Sequence, residues 1–132
     1  HKSSLIFVRL SQETANTMQS EKAQQLMIRT VARLLLKTSR RSDIVAHFGE
    51  GVFAMVLKHT DIESAKRASE RLYDLVASSN FFLAEQEIQL RIAVGVAELK
   101  ASIGVDQTLV CTLNAMEAAD QDSSARYMVC NP

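Results

Sequence analysis

Apolar residues fall along this chain in runs that switch between two periods. Leu5-Ile6-Phe7-Val8-Arg9-Leu10 is a short β-rich apolar run and predicts a buried strand. From about Glu13 to Lys37, Ala23, Leu26, Met27, Val31, Leu34 and Leu35 recur at three-and-four spacing, which predicts one amphipathic helix. Asp43 to Phe48 and Val52 to Leu57 are strand-like runs separated by Gly49-Glu50-Gly51, the signature of a tight hairpin. Thr60-Asp61-Ile62-Glu63 has the form of a capping box and opens a second helix through roughly Ser78. Its predicted inner stripe is Ile62, Ala65, Ser69, Leu72 and Val76. Ile88 to Leu99 predicts a further strand and Val105 to Asp120 a third helix, with Leu109, Leu113 and Met116 inward. Tyr127-Met128-Val129 predicts a short closing strand.

The predicted order is β-α-β-β-α-β-α-β. The elements interleave as in α/β proteins, yet the central hairpin demands antiparallel pairing. The expected fold class is therefore an α/β sandwich with a mixed central sheet and helices packed on it. That pattern serves many functions and selects none.

Composition narrows the field only slightly. At 132 residues with 47% apolar and 23% charged residues, the chain (1–132) is expected to form a single domain. No apolar run approaches the roughly 20 residues of a membrane-spanning helix, and no signal-peptide pattern opens the chain. The start at His1-Lys2-Ser3 lacks a methionine and reads as a fragment of a longer protein. With 15 basic and 15 acidic residues the formal charge is zero. This argues against a nucleic-acid polymer as partner, but a small anionic nucleotide needs only a local arginine cluster. Cys111 and Cys130 match no zinc or redox spacing; Cys111 reads as a small core residue on a helix, with a disulfide as the lesser alternative.

The candidate chemistry lies in Arg40-Arg41-Ser42-Asp43, followed after five residues by Gly49-Glu50-Gly51-Val52-Phe53. This stretch resembles a GGDEF domain, the family that makes cyclic di-GMP, with its signature altered. Many members carry Arg-x-x-Asp five residues before the signature as part of an inhibitory product-binding site. Ile92-Ala-Val-Gly-Val-Ala97 is similar to the family's Val-Ser-Ile-Gly-Val-Ala strand. Arg71 falls where the family places a second inhibitory-site arginine, with Ala65 and Glu70 also at favoured positions. The resemblance covers nearly the whole chain.

It implies a cyclic di-GMP site at Arg40, Asp43 and Arg71, with Arg67 as a weaker candidate one turn earlier. Asp43 could accept a guanine's N1 and N2 hydrogens. Arg40 could grip O6 and N7 or a phosphate, and Arg71 a phosphate or a base face. Such charge-assisted contacts contribute roughly 1.5–3 kcal/mol each, and micromolar affinity requires about 8 kcal/mol.

The catalytic half looks lost. The family's metal is held by an Asp near the end of the first strand and an acid in the signature. Here those positions fall at Val8-Arg9-Leu10 and at Gly51-Val52, without a carboxylate. Asn16 matches a guanine-contacting Asn, but its acidic companion is Gln25. The late helix, Leu113…Glu117-Ala-Ala-Asp120, lacks the family's phosphate-facing lysine. The expectation is therefore no catalytic residue, no metal site, no cofactor and no enzyme activity.

The resemblance implies a bacterial cytoplasmic effector, or a cytoplasmic domain of a membrane protein, controlling exopolysaccharide, pili, motility or biofilm. Its partners would be cyclic di-GMP and a second copy, an adjacent domain or an unidentified protein. Two rivals stand beside it: a ligand-free interaction or dimerisation module, and a GTP-binding domain or residual cyclase using Glu50. Plainer readings of single residues also stand. Arg40 and Asp43 could form a surface ion pair, and Arg67, Glu70, Arg71 and Asp74 a solvated face with internal pairs. His47 and His59 read as an exposed strand residue and a lone loop residue.

Overall fold

Strand β1 (Ser3–Leu10) runs through the middle of the molecule, in a computed structural model that describes residues 2–17 and 20–132. Its near-continuous apolar run is explained by cover on both faces. Ile6, Val8 and Leu10 join one core cluster, Leu5 and Phe7 the other. After β1 come α1 (Gln12–Ala15), α2 (Glu21–Thr38), β2 (Ile44–His47), β3 (Val52–Leu57) and α3 (Ile62–Ala77). The chain continues through β4 (Phe81–Leu83), β5 (Gln86–Ile88), β6 (Ile92–Leu99), α4 (Val105–Gln121) and β7 (Met128–Val129).

The main sheet has the order β2-β3-β1-β6-β7, antiparallel except for the β6–β7 pair. The mixed α/β sandwich is thus the one anticipated. α2 and α3 contribute Met27, Val31, Leu35, Ala65, Leu72 and Val76 to the core on one face. α4 covers the other face through Met116 and Ala119.

Five local features depart from the sequence reading. The expected single helix 13–37 is two. Ser11 caps α1, its Oγ accepting from Thr14 N at 3.1 Å, and Ser20 caps α2, accepting from Ala23 N at 3.3 Å. Each cap satisfies orphan amides of a new first turn. On α2 the stripe holds at Ala23, Met27, Val31 and Leu35, while Leu26 is exposed.

The expected strand 88–99 belongs to two elements, because residues 81–88 form the separate β4–β5 hairpin. Its turn residues Ala84 and Glu85 both have positive φ, 49° and 67°. Turns of that type favour Asn-Gly, so the sequence carries no turn signal here.

On α4 the buried face is Thr108, Thr112, Ala115, Met116 and Ala119, while Leu113 is exposed. The sheet beneath presents Ala93, Gly95 and Ala97, so the helix approaches closely and small residues must face inward. The threonine hydroxyls donate back to the helix, Thr112 to Thr108 O at 2.6 Å and Thr108 to Gly104 O at 3.2 Å, and are buried at little cost.

Cys111 is not a free core thiol: it forms a disulfide with Cys130, Cα to Cα 5.4 Å. The spacing of 19 residues carried no hint of it, because β7 brings Cys130 alongside α4 only in the folded sheet.

α3 is capped by Asp61, not Thr60, with Asp61 Oδ1 accepting from Ser64 N at 2.8 Å. That amide, then the Ser64 hydroxyl, hold the Asp61 carboxyl below its ordinary value of 3.8. A depressed carboxylate contributes above its unfolded value and loses the contribution as pH falls. Acidification through and below that value should loosen the start of α3, seen as faster amide exchange at residues 62–64. Among the described residues no helix is long and apolar enough to cross a membrane.

Candidate functional site

α2 stops at Thr38, and Ser39 leaves the helix with extended φ and ψ of −72° and 145°. A tight turn follows, closed by Asp43 N–H donating to Arg40 O at 3.0 Å. The turn sets Arg40 and Asp43 at its two ends and delivers the chain into β2. The Asp43 carboxylate is turned inward, its side chain only 3% exposed. Its Oδ2 accepts from Arg40 N at 2.8 Å and its Oδ1 from Arg40 Nη2 at 3.3 Å. The Arg40 guanidinium is 59% exposed and also donates to Thr60 Oγ1 at 2.8 Å.

Arg71 reaches the same place from α3. Ser64, Ala68, Arg71 and Leu75 are spaced four, three and four apart, which puts them on one stripe of the helix. That stripe, the Arg40–Asp43 turn, Thr60 and the apolar side chains of Ile6, Met55, Leu57 and Leu72 enclose a cavity of about 490 Å³. The structure therefore brings Arg40, Asp43 and Arg71 together around an apolar floor.

Arg67 does not line the cavity and donates to Ser64 Oγ at 3.1 Å. The anticipated ladder of ion pairs on α3 does not form around Arg71. Asp74 pairs with Arg126 at 3.1 Å, and Arg71 has no ion pair among the described residues. Arg71→Ala is thus expected to weaken an anion bound in this cavity about tenfold, and Arg67→Ala less than about twofold. Affinity measurements on both variants check this.

Chemically the cavity offers a guanidinium free to move, a second guanidinium, a buried acceptor and an apolar base. A carboxylate has about four acceptor directions. Arg40 uses two on Asp43, so two remain for a donor pair. If the exposed Arg40 guanidinium turns toward a ligand, the buried Asp43 carboxylate keeps the Arg40 backbone amide on Oδ2, and ligand donors take the place of the guanidinium on Oδ1.

Sequence reasoning missed Thr60, which it read as a helix cap. Its backbone N–H donates to Lys2 O at 2.9 Å, and its O accepts from Ser4 Oγ at 2.9 Å. Its hydroxyl donates to Lys58 O at 2.9 Å while accepting from Arg40. With Thr60 and Asp61 both cap-forming types, only the fold decides which one caps.

A second cavity of about 340 Å³ lies where the resemblance places catalysis, lined by Arg9, Asn16, Gln24, Ile28, Glu50 and Gly51 among others. Gln24 lines it, while Gln25, the position matched to the acidic companion, is exposed. The hairpin tip at Gly49, Glu50 and Gly51 has positive φ throughout, 86°, 54° and 76°. A Cβ on Gly51 would stand 3.1 Å from Ile28 Cδ1. The glycines therefore meet a backbone requirement that stands whatever chemistry the loop performs.

Arg9, at the end of β1, is directed into a polar cluster. Its Nη2 lies 2.7 Å from Oδ2 of Asp120, whose side chain is 2% exposed. Asp120 also accepts from Gln12 N at 3.1 Å and faces Arg91 Nη1 at 4.0 Å. A divalent cation wants several hard oxygen ligands. The donor set here does not fit one, because a guanidinium stands at the strand end and, among the described residues, Glu50 is the sole carboxylate lining the cavity. Removing Arg9 strips a buried carboxylate of its main partner. Arg9→Ala is expected to destabilise the fold by about 3 kcal/mol, read by urea denaturation.

Residues 10–126 match the family profile described as diguanylate cyclase, GGDEF domain. Comparison with curated protein sequences gave no match. Among solved structures, the fold is similar to the GGDEF domain of DgcB from Caulobacter crescentus in complex with c-di-GMP. That match has TM-score 0.86 and 15% identity, over 99% of this chain and 77% of that one. It is also similar to the active GGEEF domain of a diguanylate cyclase from Vibrio cholerae (TM-score 0.83, 16% identity, 100% and 85% covered). A third match is the diguanylate cyclase SiaD in complex with its activator SiaC from Pseudomonas aeruginosa (TM-score 0.81, 19% identity, 91% and 46% covered).

Proposed function

This chain belongs to the GGDEF domain family, and from that premise we propose that it is a catalytically inactive member acting as a receptor for cyclic di-GMP. The observation that carries the reading is the convergence of Arg40, Asp43 and Arg71 on one cavity with an apolar floor. The ligand is a ring of two guanines and two phosphates. A guanine donates N1–H and N2–H to an acceptor, its O6 and N7 accept from a guanidinium, and its faces are apolar. Asp43, Arg40 and the floor of Ile6, Leu57 and Leu72 match these needs in turn, leaving Arg71 for a phosphate.

Loss of catalysis rests on the other cavity. Phosphoryl transfer depends on positioning and on neutralising phosphate charge, chiefly by metal. Arg9 and Val52 stand where the family's carboxylates are expected. The DgcB domain in complex with c-di-GMP supports the choice of ligand. The SiaD–SiaC complex supports a protein partner as the route by which occupancy is read out. That partner is a second copy, an adjacent domain or a separate protein.

Asn16 and Glu50 at the other cavity favour a second reading, GTP bound at the former catalytic site without turnover. Backbone NMR separates the two. Cyclic di-GMP should shift resonances at residues 38–43 and 60–75 and leave 9–16 and 49–52 nearly unmoved. Shifts confined to the second group, caused by GTP, would replace the receptor reading with the GTP-binding one.

A further inference from the structure

The Cys111–Cys130 disulfide joins the middle of α4 to the residue after β7, at the sheet edge away from the arginine cavity. We propose that it is a thiol–disulfide exchange site, a redox-responsive clasp holding the C-terminal segment 128–132 onto α4.

Without the clasp the segment is weakly held. β7 is two residues long and pairs with β6 only at Gly95–Met128 and Val96–Val129, extended by Cys130 N donating to Val96 O at 2.8 Å. Beneath Cys130 the buried cluster is Ala97 and Ala115, with Met128 packed on it, and Val129 packs against the main core. These are the contacts of two partly buried side chains on a two-residue strand, so the covalent link adds a large share of the attachment.

The two cysteines are also unequal in access. Both line a wide-mouthed cavity of about 660 Å³, but Cys111 is half-buried whereas Cys130 is 8% exposed. An incoming thiolate approaches from that cavity, where Cys111 is the more accessible residue. A low-molecular-weight thiol of the glutathione class attacks Cys111 Sγ, the S–S bond breaks, and Cys130 leaves as a thiolate that takes a proton. A second such thiol attacks the mixed disulfide and frees Cys111. Two thiols are oxidised to one disulfide while the protein disulfide is reduced to two thiols, and re-oxidation runs the same steps backwards.

The consequence is geometric. Val129, Cys130, Asn131 and Pro132 form a common wall between that cavity and a second one of about 220 Å³ over Ala97, Glu98 and Thr108. Oxidised, the segment divides the two. Reduced, it lifts and joins them into one groove along α4 and β6. In reducing compartments persistent disulfides are rare, and those present are commonly redox-sensing.

The test is thiol counting and hydrogen exchange on the whole chain in glutathione buffers of graded potential. Alkylation should find no free thiol at the oxidising end and two at the reducing end, appearing together. Reduction should speed exchange at residues 127–130 at least about tenfold and leave residues 44–57 within about twofold. Cys111→Ser without reductant should reproduce the reduced pattern, and if that variant does not fold, reduced and alkylated wild-type protein gives the same reading. Two free thiols in folded protein held with oxidised glutathione would overturn the proposal. So would unchanged exchange at 127–130 on reduction, or exchange raised throughout the molecule, which would make the bond a general stabiliser.

Discussion

Arg40→Ala and Asp43→Ala should each weaken cyclic di-GMP binding by about 10- to 100-fold, the loss of one charge-assisted contact of roughly 1.5–3 kcal/mol. The two act differently. Arg40→Ala removes a donor to the ligand and also the group that covers Asp43. Asp43→Ala removes the acceptor for guanine hydrogens and leaves the Arg40 backbone amide without its 2.8 Å partner. The second should therefore also loosen the turn at 40–43, while the first leaves it closed by Asp43 N–H to Arg40 O. Arg40→Lys should fall closer to Arg40→Ala than to wild type, because a lysine cannot present a planar fork to O6 and N7. Titration calorimetry on folded variants decides this. Equal affinities for wild type, Arg40→Ala and Asp43→Ala would move the ligand out of this cavity.

The largest effect on stability is expected far from that cavity. A Cβ on Gly95 would stand 2.6 Å from Met116 N and collide with Thr112 O. Both are backbone atoms of α4, so no rotamer change relieves the clash and the helix must lift off the sheet. Gly95→Ala should cost about 3 kcal/mol or more, read as a lower urea midpoint. Because α4 lies on the opposite face from α3, any Gly95→Ala protein that remains folded should bind cyclic di-GMP with wild-type affinity.

Gly95 also shows where sequence patterns run out. Period-three-and-four reading worked on α3, where Ala65, Ser69, Leu72 and Val76 are all buried as expected. On α4 it held for Met116 and for the half-buried Leu109 but not for Leu113, which faces solvent while Thr108 and Thr112 face the sheet. The inward face there is chosen by how near the helix can come to Ala93, Gly95 and Ala97, a property of the assembled layers. The β4–β5 hairpin was missed for a different reason, since Ala84-Glu85 adopts a left-handed turn without glycine or asparagine.

That Arg40, Asp43 and Arg71 line one cavity was more legible than the fold details around it. Arg40 and Asp43 stand at the ends of one turn, so their meeting needs no long-range packing. Arg71 was placed by family position, and the α3 stripe explains the placement. Thr60 was not legible, because its contact with Arg40 spans 20 residues and depends on the cap shifting to Asp61. The disulfide was hidden for the same reason.

The most direct test of the account is calorimetric titration of cyclic di-GMP into this chain, with GTP and Mg²⁺ as the control titration. The account predicts low-micromolar binding of cyclic di-GMP and neither comparable binding nor turnover of GTP. Absence of any heat with cyclic di-GMP in protein shown to be folded, or formation of product from GTP, would contradict it.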